Sequence, residues 1–254
     1  MQPRSRFLLS AAAALLCIGG SSSLKLPSYI PACARNDPQL NACMKKNAQI
    51  ALPGIVKGDR KYRVPPLEPF FISQMVLDQE GQGGGPGFSL VLSDASLSGL
   101  SKASIEDIRA DLDKYILELE LFFPHLELQT KYKLSGRFQS FPINGEGPGN
   151  ITMTNVKVNC KFDFKQEKRK DGLTYLIPNT PTLTFDIGGR LHLQLDNLIK
   201  GDKNLGENMN AVLNDNWRDV AKTLGPGVSD LLAVLLQQTI SGMFEQVPVE
   251  EIFA

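Results

Sequence analysis

Few residues in this chain have the types and spacing for bond-making chemistry. Gly99-Leu100-Ser101-Lys102-Ala103 comes close to the G-x-S-x-G turn that presents a nucleophilic serine, and Asp186 and His192 follow in the order an α/β-hydrolase uses. That acid and that histidine are only six residues apart, too close to come from separate loops. The segments around them also alternate like antiparallel strands, whereas the hydrolase needs a parallel one. The chain has 2 histidines, His125 and His192, so the HExxH zinc pattern is absent. Gly81-Gln82-Gly83-Gly84-Gly85-Pro86-Gly87 is glycine-rich like a phosphate cradle but lacks the lysine and the following helix, and reads as a hairpin connection. Asp111 and Asp113 flank Leu112 without the further oxygen ligands of a calcium loop. A secreted serine esterase using Ser101 is the rival reading. The favoured one has no catalysis, no metal and no cofactor.

The start of the chain sets the expected compartment. Arg4 and Arg6 precede an apolar run over residues 7–18, and the small residues Gly19-Gly20-Ser21-Ser22-Ser23 follow. This is the layout of a secretory signal peptide, and the run is shorter than the roughly 20 residues a membrane span needs. Residues 1–23 read as a removed signal and 24–254 as one secreted, extracellular domain. Without Arg4 and Arg6 the 27 basic residues become 25, against 27 acidic ones. A near-neutral chain has no basic footprint for nucleic acid or for an anionic membrane.

Three cysteines remain, Cys33, Cys43 and Cys160. Outside the cell pairing is favoured, and Cys33 with Cys43 closes a short loop. Cys160 continues the alternation of Val156, Val158, Phe162 and Phe164 and reads as a small buried hydrophobe. Asn150-Ile151-Thr152 is a glycosylation sequon at an expected loop-to-strand junction.

Several elements would have to position any site. Asn36-Asp37-Pro38 has the polar cap and N1 proline of a helix start, and that helix meets a stop or kink at Pro53-Gly54. Three prolines make residues 64–70 a rigid extended connector. Period-two alternation then marks strands around 88–93, 115–122, 126–134, 151–164, 183–187 and 191–195. Turn signals stand at 81–87, Asn144-Gly145, Asp171-Gly172 and Gly188-Gly189. Residues 104–114 suit a capped helix or a strand.

From Leu205 the apolar spacing changes to three and four, through Met209, Val212, Leu213, Trp217, Val220 and Leu224. It resumes after Gly225-Pro226-Gly227 with Leu231, Leu232, Leu235, Leu236, Ile240 and Phe244. A rod that apolar needs a partner along its length, and a sheet curved around it is the economical solution. The fold class expected is therefore α+β, a long C-terminal helix wrapped by a highly curved antiparallel sheet. The hydrophobic phase picks out Phe70, Phe71, Phe88, Leu90, Leu92, Phe122, Phe138, Trp217 and Phe244 as residues that would line an interior. Pattern alone leaves a filled and a hollow interior equally open, and a signalling protein with a solid core stays as a second rival.

Several motifs then resemble the takeout and juvenile-hormone-binding proteins of insects. They are Pro31-Ala32-Cys33-Ala34-Arg35-Asn36-Asp37-Pro38 with Cys43, Val64-Pro65-Pro66-Leu67-Glu68-Pro69 and Asp111-Leu112-Asp113-Lys114. Leu183-Thr184-Phe185-Asp186-Ile187-Gly188, Asn197-Leu198-Ile199-Lys200-Gly201-Asp202-Lys203, Leu213-Asn214-Asp215-Asn216-Trp217-Arg218 and the ending Val247-Pro248-Val249-Glu250-Glu251-Ile252-Phe253 complete the set. The resemblance implies a tubular lipid-binding fold with an apolar internal tunnel. It implies a monomeric carrier of a small lipophilic ligand (juvenile hormone, another terpenoid or a fatty lipid) that does not insert stably in membranes. It makes residues 104–114 a strand. The stapled N-terminal arm and first helix become an expected gate at one tunnel mouth. Cys160, without a partner for a second disulfide, places the resemblance nearer the takeout branch.

Overall fold

Long uninterrupted alternation builds the spine of the sheet from two strands, β4 (Ile116–Phe138) and β5 (Phe141–Lys168). They run antiparallel from the pair Ile116 and Asp163 to the pair Phe138 and Phe141. The structure, a computed structural model, describes residues 24–79, 87–138 and 141–254. The expected signal peptide and nearly all of the glycine-rich 81–87 connection lie outside those residues.

Shorter strands line the two flanks of this spine. On the β4 side are β3 (Ser104–Asp111) and β2 (Phe88–Ser98), with β1 (Phe70–Gln79) beyond β2. On the β5 side, β8 (Leu191–Leu195), β7 (Thr182–Ile187) and β6 (Thr174–Pro178) pair in succession along the strand. Residues 104–111 are thus strand, as the resemblance implied. Asn144-Gly145 is not a turn: both residues pair with β4 inside β5. Gly145 and Gly147 lie under the chain at Leu198 and Asp196, where a Cβ would strike backbone.

Pro124 does not end its strand. It is exposed and sits level with Asn155, whose φ is 53°. The buried phase slips by one residue on both strands at this point, from Phe123 and Val156 to Leu126 and Met153. A paired break of that kind bends the sheet without losing register.

The helices are α1 (Leu40–Lys57), α2 (Lys203–Asp215), α3 (Trp217–Phe244) and the single turn α4 (Val249–Ile252). Helix α1 runs through Pro53, and Gly54 lies so close to the Tyr29 ring that a Cβ would overlap it. The C-terminal rod breaks at Asn216 and passes through Gly225-Pro226-Gly227 unbroken. At ~1.5 Å per residue α3 spans about 42 Å. Pro226 is exposed, so water can satisfy the carbonyl that loses its helical donor.

Helix α3 packs on β6, β7 and β8 along one margin of the sheet and reaches β1 at the other. The N-terminal arm is held by the Cys33–Cys43 disulfide and by the bond from the Ala254 N–H to the Cys33 carbonyl, 3.0 Å.

Candidate functional site

An uncovered strand edge exposes a row of unpaired N–H and C=O groups. In this fold helical side chains cover two such edges. On α2, the Asn214 amide accepts from the Leu193 N–H and donates to the Leu193 carbonyl, both at 2.8 Å. One turn earlier Asn210 does the same for Leu195, at 3.0 and 2.8 Å. The two asparagines stand in for a missing strand beside β8. On α1, Gln49 accepts from the Ile105 N–H (2.8 Å), Lys45 donates to the Glu106 carbonyl (2.6 Å), and Asn41 accepts from the Ala110 N–H (3.0 Å). Spacing by four puts all three on one helix face toward β3.

Beneath these edges lie apolar clusters. The largest joins Ile72, Met75, Leu92, Tyr132, Leu191, Leu193, Leu195, Met209, Leu213, Trp217 and Val220. Leu90, Leu128, Ile151, Leu224, Leu231, Leu232 and Leu235 pack against it but stay only partly buried. Farther along, Cys160, Phe162, Leu183 and Ala233 form a second cluster with Leu236 and Ile240 beside it. Burial pushes the Cys160 thiol up to about 12, as its reading as a small hydrophobe requires.

Strand β7 differs from its neighbours. A groove of ≈ 660 Å³ runs along β7 and α3, with Phe185, Ile187, Trp217 and Ala221 among its apolar lining and Arg218, Lys222, Asp186 and Asp230 among its polar lining.

The residues picked from hydrophobic phase divide on inspection. Phe70, Leu90, Leu92 and Trp217 meet in the largest cluster. Phe244 lies farther along α3, its ring 4.7 Å from that of Phe164. Phe88 is partly buried opposite Gly136 and joins none of the clusters. Phe71 is 72 % exposed and does not line the interior, since alternation along β1 turns it away from buried Ile72. Phe122 is partly buried and belongs to none of the clusters, whereas its neighbour Phe123 is 6 % exposed in the core. Phe123 continues the phase of Leu117, Leu119 and Leu121, and Phe122 does not. The Phe138 side chain lies outside the described residues. Missed altogether were the polar clamps of α1 and α2, whose signal was polar side chains four apart on one helix face, Asn41, Lys45 and Gln49 and then Asn210 and Asn214.

Ser101 is held by Glu68 and, among the described residues, has no hydrogen bond to a histidine. It sits exposed on a short turn, and its N–H donates to Glu68 Oε2 at 2.7 Å, while the Gly99 N–H donates to Oε1 at 2.9 Å. Burial raises the Glu68 carboxyl, but the N–H donors of Gly99, Ser101 and Leu100 and the Ser101 hydroxyl outweigh it and hold the group below the usual glutamate range. The near-motif is therefore the socket of a carboxylate that pins the proline-rich connector. Asp186 and His192 are exposed on β7 and β8, and no hydrogen bond of the described residues joins either to Ser101. Asn150 lies within β5, not at a loop junction, and donates to Glu127 Oε1 at 3.1 Å. Among the described residues no cluster of three or more His, Cys, Asp or Glu could hold a metal, and no helix is long and apolar enough to cross a membrane.

Known proteins share this architecture. Takeout 1 of Epiphyas postvittana superposes with a TM-score of 0.75 at 27 % identity, over 87 % of this chain and 98 % of its own. The circadian clock-controlled protein daywake of Drosophila yakuba is 29 % identical over 260 residues, covering 97 % of this chain and 98 % of its own. Its counterpart in Drosophila melanogaster is 28 % identical over 233 residues, covering 89 % and 88 %. The fold is thus the takeout one, a curled antiparallel half-barrel closed by a C-terminal helix. The family model for haemolymph juvenile hormone binding proteins matches residues 9–254, and the chain belongs to that family of binding proteins.

Proposed function

We propose that this protein is a secreted carrier that holds an elongated lipophilic molecule, a terpenoid or a fatty lipid, between α3 and the concave face of the sheet. One contrast carries the reading. Leu191, Leu193 and Leu195 are 6–7 % exposed, as close-packed core leucines are. Leu90, Leu128, Leu231, Leu232 and Leu235 touch the same cluster yet keep accessible surface. Helix α3 packs on the margins of the sheet, and the middle strands β2, β4 and β5 are not among its principal partners. Aliphatic surface that faces a sheet without being covered by it is what an apolar ligand buries, at about 25 cal/mol per Å². The haemolymph character of the family and the leader-like residues 1–23 support secretion.

Filling that space tests the reading. Leu128→Trp and Leu231→Trp, in the delipidated protein titrated with cis-parinaric acid, should each weaken binding about tenfold while the fold is retained. Unchanged affinity in both, with circular dichroism intact, contradicts it.

A further inference from the structure

The C-terminal helices are hydrogen-bonded to the sheet at two places, and between them α3 rests on β7 by apolar packing alone. At its start, Asn214 and Asn210 of α2 fix the chain to β8. Farther on, the Gln237 amide donates to the Pro178 carbonyl at 2.9 Å and accepts from the Thr180 hydroxyl at 2.7 Å, beside the β6–β7 connection. No hydrogen bond of the described residues joins the intervening stretch to β7, and the ≈ 660 Å³ groove lies there. That same stretch holds Gly225-Pro226-Gly227. Two glycines and a proline weaken a helix interior more than any other residues. Pro226 also leaves the carbonyl of Lys222, a groove residue, without its helical donor.

The groove floor is a single layer. Phe185 packs against the cluster around Cys160 and Ala233 and against the one around Phe123, and Ile187 bridges the largest cluster and the one around Phe123. Moving these two side chains would join the groove to all three clusters. At the rim, Arg218, Lys222, Asp186 and Asp230 are exposed, and none of the four is in an ion pair with another described residue.

We propose that the groove between β7 and α3 is the portal through which a single-chain amphiphile reaches the interior. Phe185 and Ile187 form the door, and Gly225-Pro226-Gly227 is the joint at which α3 yields. The alkyl chain passes the door, and the polar head stays at the rim among charges of both signs and the open edge of β7. This portal rests on the carrier reading. It is put in place of a gate at the N-terminal arm, which the Cys33–Cys43 disulfide and the bond from the Ala254 N–H to the Cys33 carbonyl tether.

Trp217 is the chain's only tryptophan and lies in the groove lining, so it can report passage. Energy transfer from Trp217 to cis-parinaric acid, followed by stopped flow, gives association and dissociation rates for the full mature chain. Gly225→Ala places a Cβ 3.9 Å from Phe185, an ordinary contact, and should slow both rates by about fivefold with Kd unchanged. Phe185→Ala should speed both, and Phe185→Leu, which keeps most of the packing, should speed them less. Wild-type rates in Gly225→Ala and Phe185→Leu, with binding intact, overturn the portal, as does a rate change on reducing Cys33–Cys43 alone. No energy transfer in the wild type at all would remove the carrier reading and the portal with it.

Discussion

Strands β8 and β7 lie end to end along β5, and both turn a free edge toward the C-terminal helices. Their edges are treated in opposite ways. On β8 two asparagine amides replace the missing strand group for group, and the leucines beneath are buried to 6–7 %. On β7 no helical side chain bonds to the edge among the described residues, and a groove takes its place. On the portal proposal the clamped edge is the fixed one and the open edge is where the molecule gives. Stability and ligand exchange are thereby assigned to neighbouring segments of one strand row.

The largest way to break this comparison is to remove the better clamp. Asn214→Leu leaves the buried N–H and C=O of Leu193 without partners, and should lower unfolding free energy by about 3 kcal/mol. Urea denaturation would register this as a lower midpoint at unchanged slope. A loss equal to that of an exposed substitution would show that the amides are ornamental.

The socket at Glu68 sharpens the comparison, because there the clamp is charged. Glu68→Gln should cost about 1 kcal/mol, discounted for partial exposure. The pH dependence has a definite sign. The folded carboxyl lies below its unfolded value, so the stabilisation is present above the unfolded glutamate pKa and is lost as pH falls through the depressed folded one. Thermal denaturation from neutral to acid pH should show the wild type converging on Glu68→Gln at the acid end. Parallel curves would contradict the charged clamp.

The smallest effect belongs to the open edge. Thr184→Ala on β7 should change stability by no more than about 0.5 kcal/mol. A change matching that of Asn214→Leu would mean that β7 is held as firmly as β8.

Much of this was legible in the residues. Alternation placed most of the strands, and the three-and-four spacing placed α2 and α3, because both patterns follow from which face is buried. The disulfide and the buried Cys160 were legible too, from cysteine number and phase. Strand β6 was not: Tyr175 and Leu176 are adjacent and both buried, so it lacks alternation. Asn144-Gly145 looked like a turn because the usual reason for glycine in a strand, close approach of another backbone, depends on Leu198, over fifty residues away. The helix runs through Pro226 because that residue faces water, where a lost helical bond is cheap, and the break lies instead at Asn216. Of the residues chosen by hydrophobic phase, Phe70, Leu90, Leu92 and Trp217 lie in the largest apolar cluster, while Phe71 is exposed and Phe122 outside the clusters, each one residue out of step with a buried neighbour. The groove was illegible, since it depends on which edge of the sheet the helix leaves uncovered.

The most direct test of the central claim is native mass spectrometry of the protein purified from its own source, paired with lipid extraction. The account predicts a mass above that of the mature chain by one lipophilic molecule, lost on extraction with organic solvent and regained on adding it back. A bare protein mass, together with refusal of every terpenoid and fatty lipid offered to the extracted protein, would contradict it.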